Sequence, residues 1–152
     1  MDRKKLLKSL VYLMFLIFIA NSLALKFYWY FSIWWSDMFM HFLGGLWEGL
    51  FFIWFFSIIN FSFLKLSLEV VNFRLIYKTV LFVLLIGILW EFFEFFSNNY
   101  IGHDPFNALD TISDVFFDLA GGAFSILYFF FYFKKLRLLK KIRYNPNNGK
   151  NC

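Results

Sequence analysis

The stretch LIYKTVLFVLLIGILWEFFEFF, residues 75–96, is a nearly continuous apolar run with two glutamates close to its carboxyl end. A helix needs ~20 predominantly apolar residues to cross the hydrocarbon core of a bilayer. The run has that length and contains no proline. Because every backbone N–H in lipid must be paired within its own segment, the stretch predicts a transmembrane α-helix.

Three further stretches have the same character, at residues 6–25, 39–64 and 111–133. Of the 152 residues in the chain, 61% are hydrophobic and 26% are aromatic, which is more than a soluble domain of this size requires. We therefore expect an all-α fold, an integral membrane bundle of four transmembrane helices that forms a single domain over residues 1–152. A basic tail, residues 134–152, follows the last span.

The net charge of +5 comes from basic residues grouped at the ends of the apolar runs. They lie within residues 3–8, 65–78 and 134–150, whereas the two other loops contain only Lys26. The positive-inside rule then predicts that both termini are cytoplasmic and that the protein is a multi-pass component of the plasma (inner) membrane. Basic residues in this arrangement indicate contact with membrane lipids, and we expect no nucleic-acid partner.

The first apolar run also resembles a signal peptide, because it has a basic start and small residues at Ser22-Leu23-Ala24. Two features favour a retained helix. The run is longer than a usual signal core, and the aromatic segment that follows it, residues 27–35, is typical of an interfacial belt. We expect the segment to remain as the first span.

Ionisable residues and glycines recur at helical spacing on one face of three spans. In the second span they are Asp37, His41, Gly44, Gly45 and Glu48; in the third, Gly87, Glu91 and Glu94; in the fourth, Asp110, Asp114, Asp118, Gly121, Gly122 and Ser125. A helix rises ~1.5 Å per residue, so one histidine and at least four carboxylates should share one depth beneath the outer surface. Glu48 should lie deeper, near the midplane.

A carboxylate within a span costs about 2.5–3.5 kcal/mol on insertion scales, and neighbouring carboxylates also repel each other. No lysine or arginine stands at this depth in the sequence. A bound cation, protonation or a water-filled cavity would offset the cost, and a divalent cation is favoured. Carboxylates with one imidazole suit Mg²⁺, Mn²⁺, Zn²⁺ or Ca²⁺, while the single cysteine, Cys152, excludes a thiolate cage. The candidate ligands are Asp37, His41, Glu91, Glu94, Asp110, Asp114 and Asp118.

Some of these residues also have purely structural interpretations. The glycine pairs 44–45 and 121–122 are typical of close helix packing. Asp37 and Asp110 stand at predicted helix starts, where an N-cap role and a favourable contact with the helix macrodipole are as reasonable as a ligand role. His103 and Asp104 fit a solvated turn in the outer loop.

The same residues carry a family resemblance. The pattern Asp37-x-x-x-His41-Phe42-x-Gly44-Gly45, Trp90-Glu91-x-x-Glu94 and Asp110-Thr111-x-x-Asp114-x-x-x-Asp118-x-x-Gly121-Gly122 resembles that of small VanZ-like and YjdF-type multispanning membrane proteins. VanZ-like proteins are linked to glycopeptide-antibiotic resistance, and their pattern has a basic residue between the acidic motifs. The third span has none. The resemblance thus favours the YjdF-type proteins, which are uncharacterised, and it implies no particular activity.

Three functions remain open from the sequence. The first is a metal-dependent enzyme that acts on a lipid headgroup or lipid-linked phosphate, with His41 or Glu94 as general base. The second is a cation or proton transporter or sensor, for which a homo-oligomer would have to supply further walls. The third is a noncatalytic membrane scaffold in which a metal or protonated acids hold the helices together.

Overall fold

The computed structural model describes residues 3–63, 73–97, 99–100 and 107–143. Its helices are α1 (Arg3–Lys26), α2 (Trp29–Ser32), α3 (Ser36–Phe63), α4 (Phe73–Ser97) and α5 (Ala108–Arg143). Every regular element within the described residues is helical, as the sequence predicts. Lys65, His103, Asp104 and Cys152 lie outside the described residues, as does the tail after Arg143.

Four helices have the length and composition to cross a membrane, over Lys4–Lys26, Ser36–Phe56, Phe73–Ser97 and Ala108–Phe131. The predicted number of spans is therefore confirmed for the described residues. Each helix begins two or three residues before its predicted span, and α5 continues well past residue 133. Lysine, leucine and arginine in that extension are strong helix formers, so the helix need not end where the apolar run does.

Burial in the bundle is inverted relative to a soluble protein. Large hydrophobic side chains such as Phe18, Leu85 and Phe116 are exposed on the outer faces. The buried side chains include polar and charged ones, namely Ser36, His41, Thr79, Asp114, Asp118 and Ser125. Apolar exteriors around polar interiors are expected when the surrounding solvent is lipid.

Helices α3, α4 and α5 contact one another and form the core of the bundle, with α3 and α5 in the most extensive contact. In the described part of the chain, α1 packs against α2 and α3 alone. Its contact with α3 centres on Leu6, Leu10 and Leu50. The Trp47 indole N–H also donates to the carbonyl of Leu10, at 3.1 Å. The first span is thus attached to one side of a three-helix unit.

Glycines set the close approach of α3 to α5. A Cβ on Gly45 would collide with the carbonyl oxygen of Asp118, and a Cβ on Gly121 would collide with that of Phe42. These positions confirm the close packing predicted for the glycine pairs. Gly49, which the sequence argument left out, faces Ser125 across the same interface. Two backbones that touch in this way fix the depth of α3 against that of α5.

Candidate carboxylate and histidine site

His41 lies in the half of the bundle where α3 and α5 begin, which we call the outer half; the opposite half is the inner half. His41 is on α3, five residues after the helix start at Ser36, and only 8% of it is exposed. Its Nδ1 is 3.4 Å from Asp118 Oδ2 on α5, and its Nε2 is 3.9 Å from Asp37 Oδ1 one turn back on α3. An ionised carboxylate can only accept, so the contact with Asp118 assigns the proton to Nδ1. The Nε2 atom then faces the carboxylates nearer the surface.

The Asp118 carboxylate occupies a slot between two glycines. A Cβ on Gly87 of α4 would lie 2.7 Å from Asp118 Oδ2, and a Cβ on Gly44 of α3 would lie 4.0 Å from Oδ1. Any side chain at Gly87 would therefore take the space of the oxygen that meets His41. Gly44 and Gly87 make room for a carboxylate, whereas Gly45 and Gly121 make room for backbone.

Two sets of ligand atoms converge on His41. One set comprises Asp37, His41 and Asp114, and the other comprises His41, Glu91 and Glu94. Within each set, the three ligand atoms lie within 4.8 Å of one another. Atoms on opposite sides of one ion, each bound at ~2.0–2.6 Å, are separated by distances of this order. The three core helices all contribute to these sets.

Several carboxylate oxygens in this region are buried and make no hydrogen bond. They are Asp114 Oδ1, Glu91 Oε1 and, deeper in α3, Glu48 Oε2. Asp114 is the most enclosed of the three residues, with 2% of it exposed. An unsatisfied carboxylate oxygen in a low-dielectric interior is costly, so these atoms require a cation, a proton or water.

Asp110 belongs to neither set of ligand atoms, although its charge is close enough to act on Asp37 and Asp114. It is exposed in the first turn of α5. The suggested N-cap role is wrong for it, because Asn107 caps this helix: its Oδ1 accepts from the amide of Leu109 at 3.2 Å. Asp37 also lies within the first turn of α3, after Ser36, so it is not the N-cap residue either.

Tyr30 on α2 is a neighbour of the site that the sequence argument missed. Its hydroxyl donates to Asn21 Oδ1 on α1 at 2.6 Å. Partial burial, with the negative charges of Asp37 and Glu94 nearby, raises the pKa of the Tyr30 phenol above its usual value. The phenol therefore stays neutral beside the outer carboxylates. The available signals were the aromatic density of the segment and an asparagine within an apolar span.

The electrostatics of the site are one-sided. Neither α3, nor α4 from Val83 onward, nor the spanning part of α5 contains a lysine or arginine. The carboxylates around His41 therefore face one imidazole and no permanently charged base. A divalent cation would neutralise this excess, complete the coordination of the unpaired oxygens and polarise a bound water or phosphate oxygen.

Comparison with known sequences supports the membrane assignment. A family described as "Predicted membrane protein (DUF2238)" matches residues 1–135, which includes all four spans and every site residue. No curated protein and no solved structure matches the chain. The chain belongs to DUF2238, a family of predicted membrane proteins.

Proposed function

We propose that this protein binds a divalent cation in the membrane, near the surface from which α3 and α5 enter it. The observation that carries the proposal is the pair of three-residue sets that share His41, each with ligand atoms within 4.8 Å of one another. The buried, unpartnered oxygens of Asp114 and Glu91 provide independent support, because each lacks the partner that a cation would supply.

The proposed ligands are Asp37, His41 through Nε2, and Asp114, with Glu91 and Glu94 completing the shell. Asp118 serves to orient the imidazole, as carboxylates commonly do for metal-binding histidines. Asp110 has no part in this arrangement. Because oxygen donors outnumber nitrogen donors, Mg²⁺, Mn²⁺ or Ca²⁺ fits better than Zn²⁺.

The chemistry favoured for such an ion is action on a lipid headgroup or lipid-linked phosphate. A carboxylate-bound cation would neutralise phosphate charge and lower the pKa of a bound water. Glu94 is the better candidate for the general base, since both nitrogens of His41 are engaged in this scheme, whereas a carboxylate that binds the ion through one oxygen keeps the other to accept a proton. The exposed aromatic residues of the α2 region, including Phe31 and Trp34, would place the entrance at headgroup level.

Two other functions compete with this one. A cation or proton transporter or sensor needs a polar route to the opposite surface, and Phe52 and Phe82 stack below Glu48 with ring centroids 4.8 Å apart. That stack disfavours transport by a single bundle, although a homo-oligomer would offer other routes. A noncatalytic scaffold, as suggested by the resemblance to VanZ-like and YjdF-type proteins, would bind the ion without turnover.

The test is elemental analysis and calorimetric titration of the detergent-purified protein with Mg²⁺, Mn²⁺, Ca²⁺ and Zn²⁺. Asp114→Asn should lose the bound ion while still inserting into the membrane, because the amide removes the charge and keeps the shape. Asp110→Asn is the matched control and should bind like the parent protein. Equal binding by parent and Asp114→Asn, or none by the parent, would reject the cation site.

The location of the site in the outer leaflet is a further part of the proposal. It rests on cytoplasmic termini in the plasma (inner) membrane. Reporter fusions at the carboxyl terminus and within residues 99–107 should report opposite sides of the membrane, with the carboxyl terminus in the cytoplasm. A carboxyl terminus outside the cell would move the site to the cytoplasmic leaflet.

A further inference from the structure

Glu48 is a buried acid that the proposed cation site does not use. It lies on α3 one turn below Gly44 and two turns below His41, so it faces the same crevice at greater depth. Its Oε2 is inaccessible and makes no hydrogen bond. A Cβ on Gly44 would lie 4.0 Å from Asp118 Oδ1, and Glu48 follows one turn further along the same face of α3.

Among the described residues, neither α3 nor the spanning part of α5 carries a lysine or arginine beside Glu48. The ionisable groups whose fields reach it are Asp118 on α5 and His41 on its own helix. On α4, the buried residues at this level are Gly87 and Val83, neither of which can ionise. His41 is already paired with Asp118 at 3.4 Å. An ionised Glu48 would therefore add a second carboxylate beside Asp118, whose contact with His41 is already made.

Aromatic rings close the crevice below Glu48. Phe52, one turn further along α3, stacks on Phe82 of α4 with ring centroids 4.8 Å apart. Phe52 also stacks on Phe56 at 5.8 Å, and the Lys78 ammonium lies 5.1 Å from the Phe56 ring centroid. On α4, Lys78 is the first base reached from Val83 toward the helix start, and the rings of Phe52 with Phe82 and of Phe56 lie between it and Glu48.

We propose that Glu48 holds an exchangeable proton at the closed inner end of the polar crevice. When the proton leaves, its bonding electrons stay on the Glu48 carboxylate. The proton passes to the Asp118 carboxylate, and from there to water at the outer surface. The aromatic layers exclude water from the other side, so exchange proceeds through the outer entrance. The inference goes beyond the cation site and holds whether or not an ion is bound.

Infrared spectroscopy of the purified protein at neutral pH tests the proposal directly, because a protonated carboxyl has a C=O stretch distinct from that of a carboxylate. Glu48→Gln should lose one protonated-carboxyl band, and Glu48→Asp should retain a shifted one. Asp110→Asn should leave that band in place. A spectrum unchanged by Glu48→Gln would overturn the proposal, as would an ionised carboxylate in its difference spectrum.

Hydrogen–deuterium exchange of the Glu48 carboxyl proton, followed by the same band, tests whether the aromatic layers close the inner end of the crevice. In D₂O the band of the parent protein should shift slowly, and Phe52→Ala should accelerate the shift by opening the inner side. An exchange rate unaffected by Phe52→Ala would overturn the closed inner end.

Divalent-ion binding is a separate test. Glu48→Gln should still bind the ion, and a loss of binding would mark Glu48 as a ligand instead. Should the parent protein bind no ion at all, the cation site alone fails, since the infrared band needs no metal.

Discussion

The outer and inner halves of the core bundle treat buried polar groups in opposite ways. In the inner half, the Thr79 hydroxyl donates to the carbonyl of Leu75 at 2.8 Å, and the Ser125 hydroxyl donates to that of Gly122 at 2.6 Å. Each hydroxyl is thus satisfied within its own helix. In the outer half, Asp114 and Glu91 each retain a buried oxygen without a partner.

The difference separates polar residues that serve packing from those that still need a cation, a proton or water as a partner. A hydroxyl can return its hydrogen bond to the helix that bears it, so serine and threonine enter a membrane at little cost. A carboxylate has no donor of its own when ionised and must find one elsewhere. The unpaired carboxylates of Asp114 and Glu91, with that of Glu48 deeper in the same crevice, therefore mark the functional part of the molecule.

The largest effect should come from disrupting the backbone contact between α3 and α5, because both halves of the core bundle depend on it. In Gly121→Leu, the new side chain would collide with the Phe42 carbonyl and lie 2.6 Å from the Leu46 amide nitrogen. Overpacking costs about 1–3 kcal/mol, and a backbone neighbour cannot move aside as a side chain does, so we expect the upper end. Thermal unfolding in detergent measures it. Ala123→Leu, on an exposed face of the same helix, is the control and should unfold like the parent.

A smaller substitution should weaken ion binding in the outer half and leave the packing of the bundle intact. In Gly87→Ala, the added methyl would lie 2.7 Å from Asp118 Oδ2 and push it away from His41. Loss of such a supporting contact lowers metal affinity roughly 10–100-fold. Titration with a divalent ion should show this loss with little change in melting temperature. Asp118→Asn should match it without a steric effect, and unchanged affinity in both variants would refute the positioning role.

The attachment of α1 should matter less than either half of the core. Trp47→Phe removes the hydrogen bond to the Leu10 carbonyl, which should cost about 0.5–1.5 kcal/mol of unfolding free energy. Ion affinity should stay unchanged, because α1 contributes no ligand atom. Trp34→Phe, at an exposed position, is the matched control. A loss of ion binding in Trp47→Phe would mean that α1 supports the site after all.

The smallest expected effect concerns the neutral phenol at the site entrance. The pKa of Tyr30 is raised by burial and then by Asp37 and Glu94, so Asp37→Asn should lower it part of the way back. The stability that the neutral phenol contributes is complete below its unfolded pKa, ~10, and is lost as pH rises through its folded value. Tyrosinate absorbance, with Tyr30→Phe subtracted, follows this titration. A Tyr30 pKa identical in the Asp37→Asn protein would exclude the charge coupling.

The sequence was sufficient for the spans and for the main convergence of the site. Apolar length determined the four helices, and the spacing from Asp37 to His41 placed both on one face of α3. Periodicity could not show how each helix is rotated about its own axis relative to its neighbours. For that reason it could not show that Asp118 lies in a slot beside Gly87, or that Asp110 belongs to neither set of ligand atoms. Tyr30 was missed because α2 has four residues, too few for any periodic signal.

The preference of α3 for α5 over its sequence neighbour α4 has a consequence for biogenesis. During synthesis, α3 enters the bilayer with Asp37, His41 and Glu48 long before Asp114 and Asp118 have left the ribosome. Until then, the face of α3 that packs on Gly121 of α5 in the finished bundle is not covered by α5. Correct insertion of the second span thus depends on the last one, and a nascent chain that stops after Ser97 should be retained by the insertion machinery or degraded.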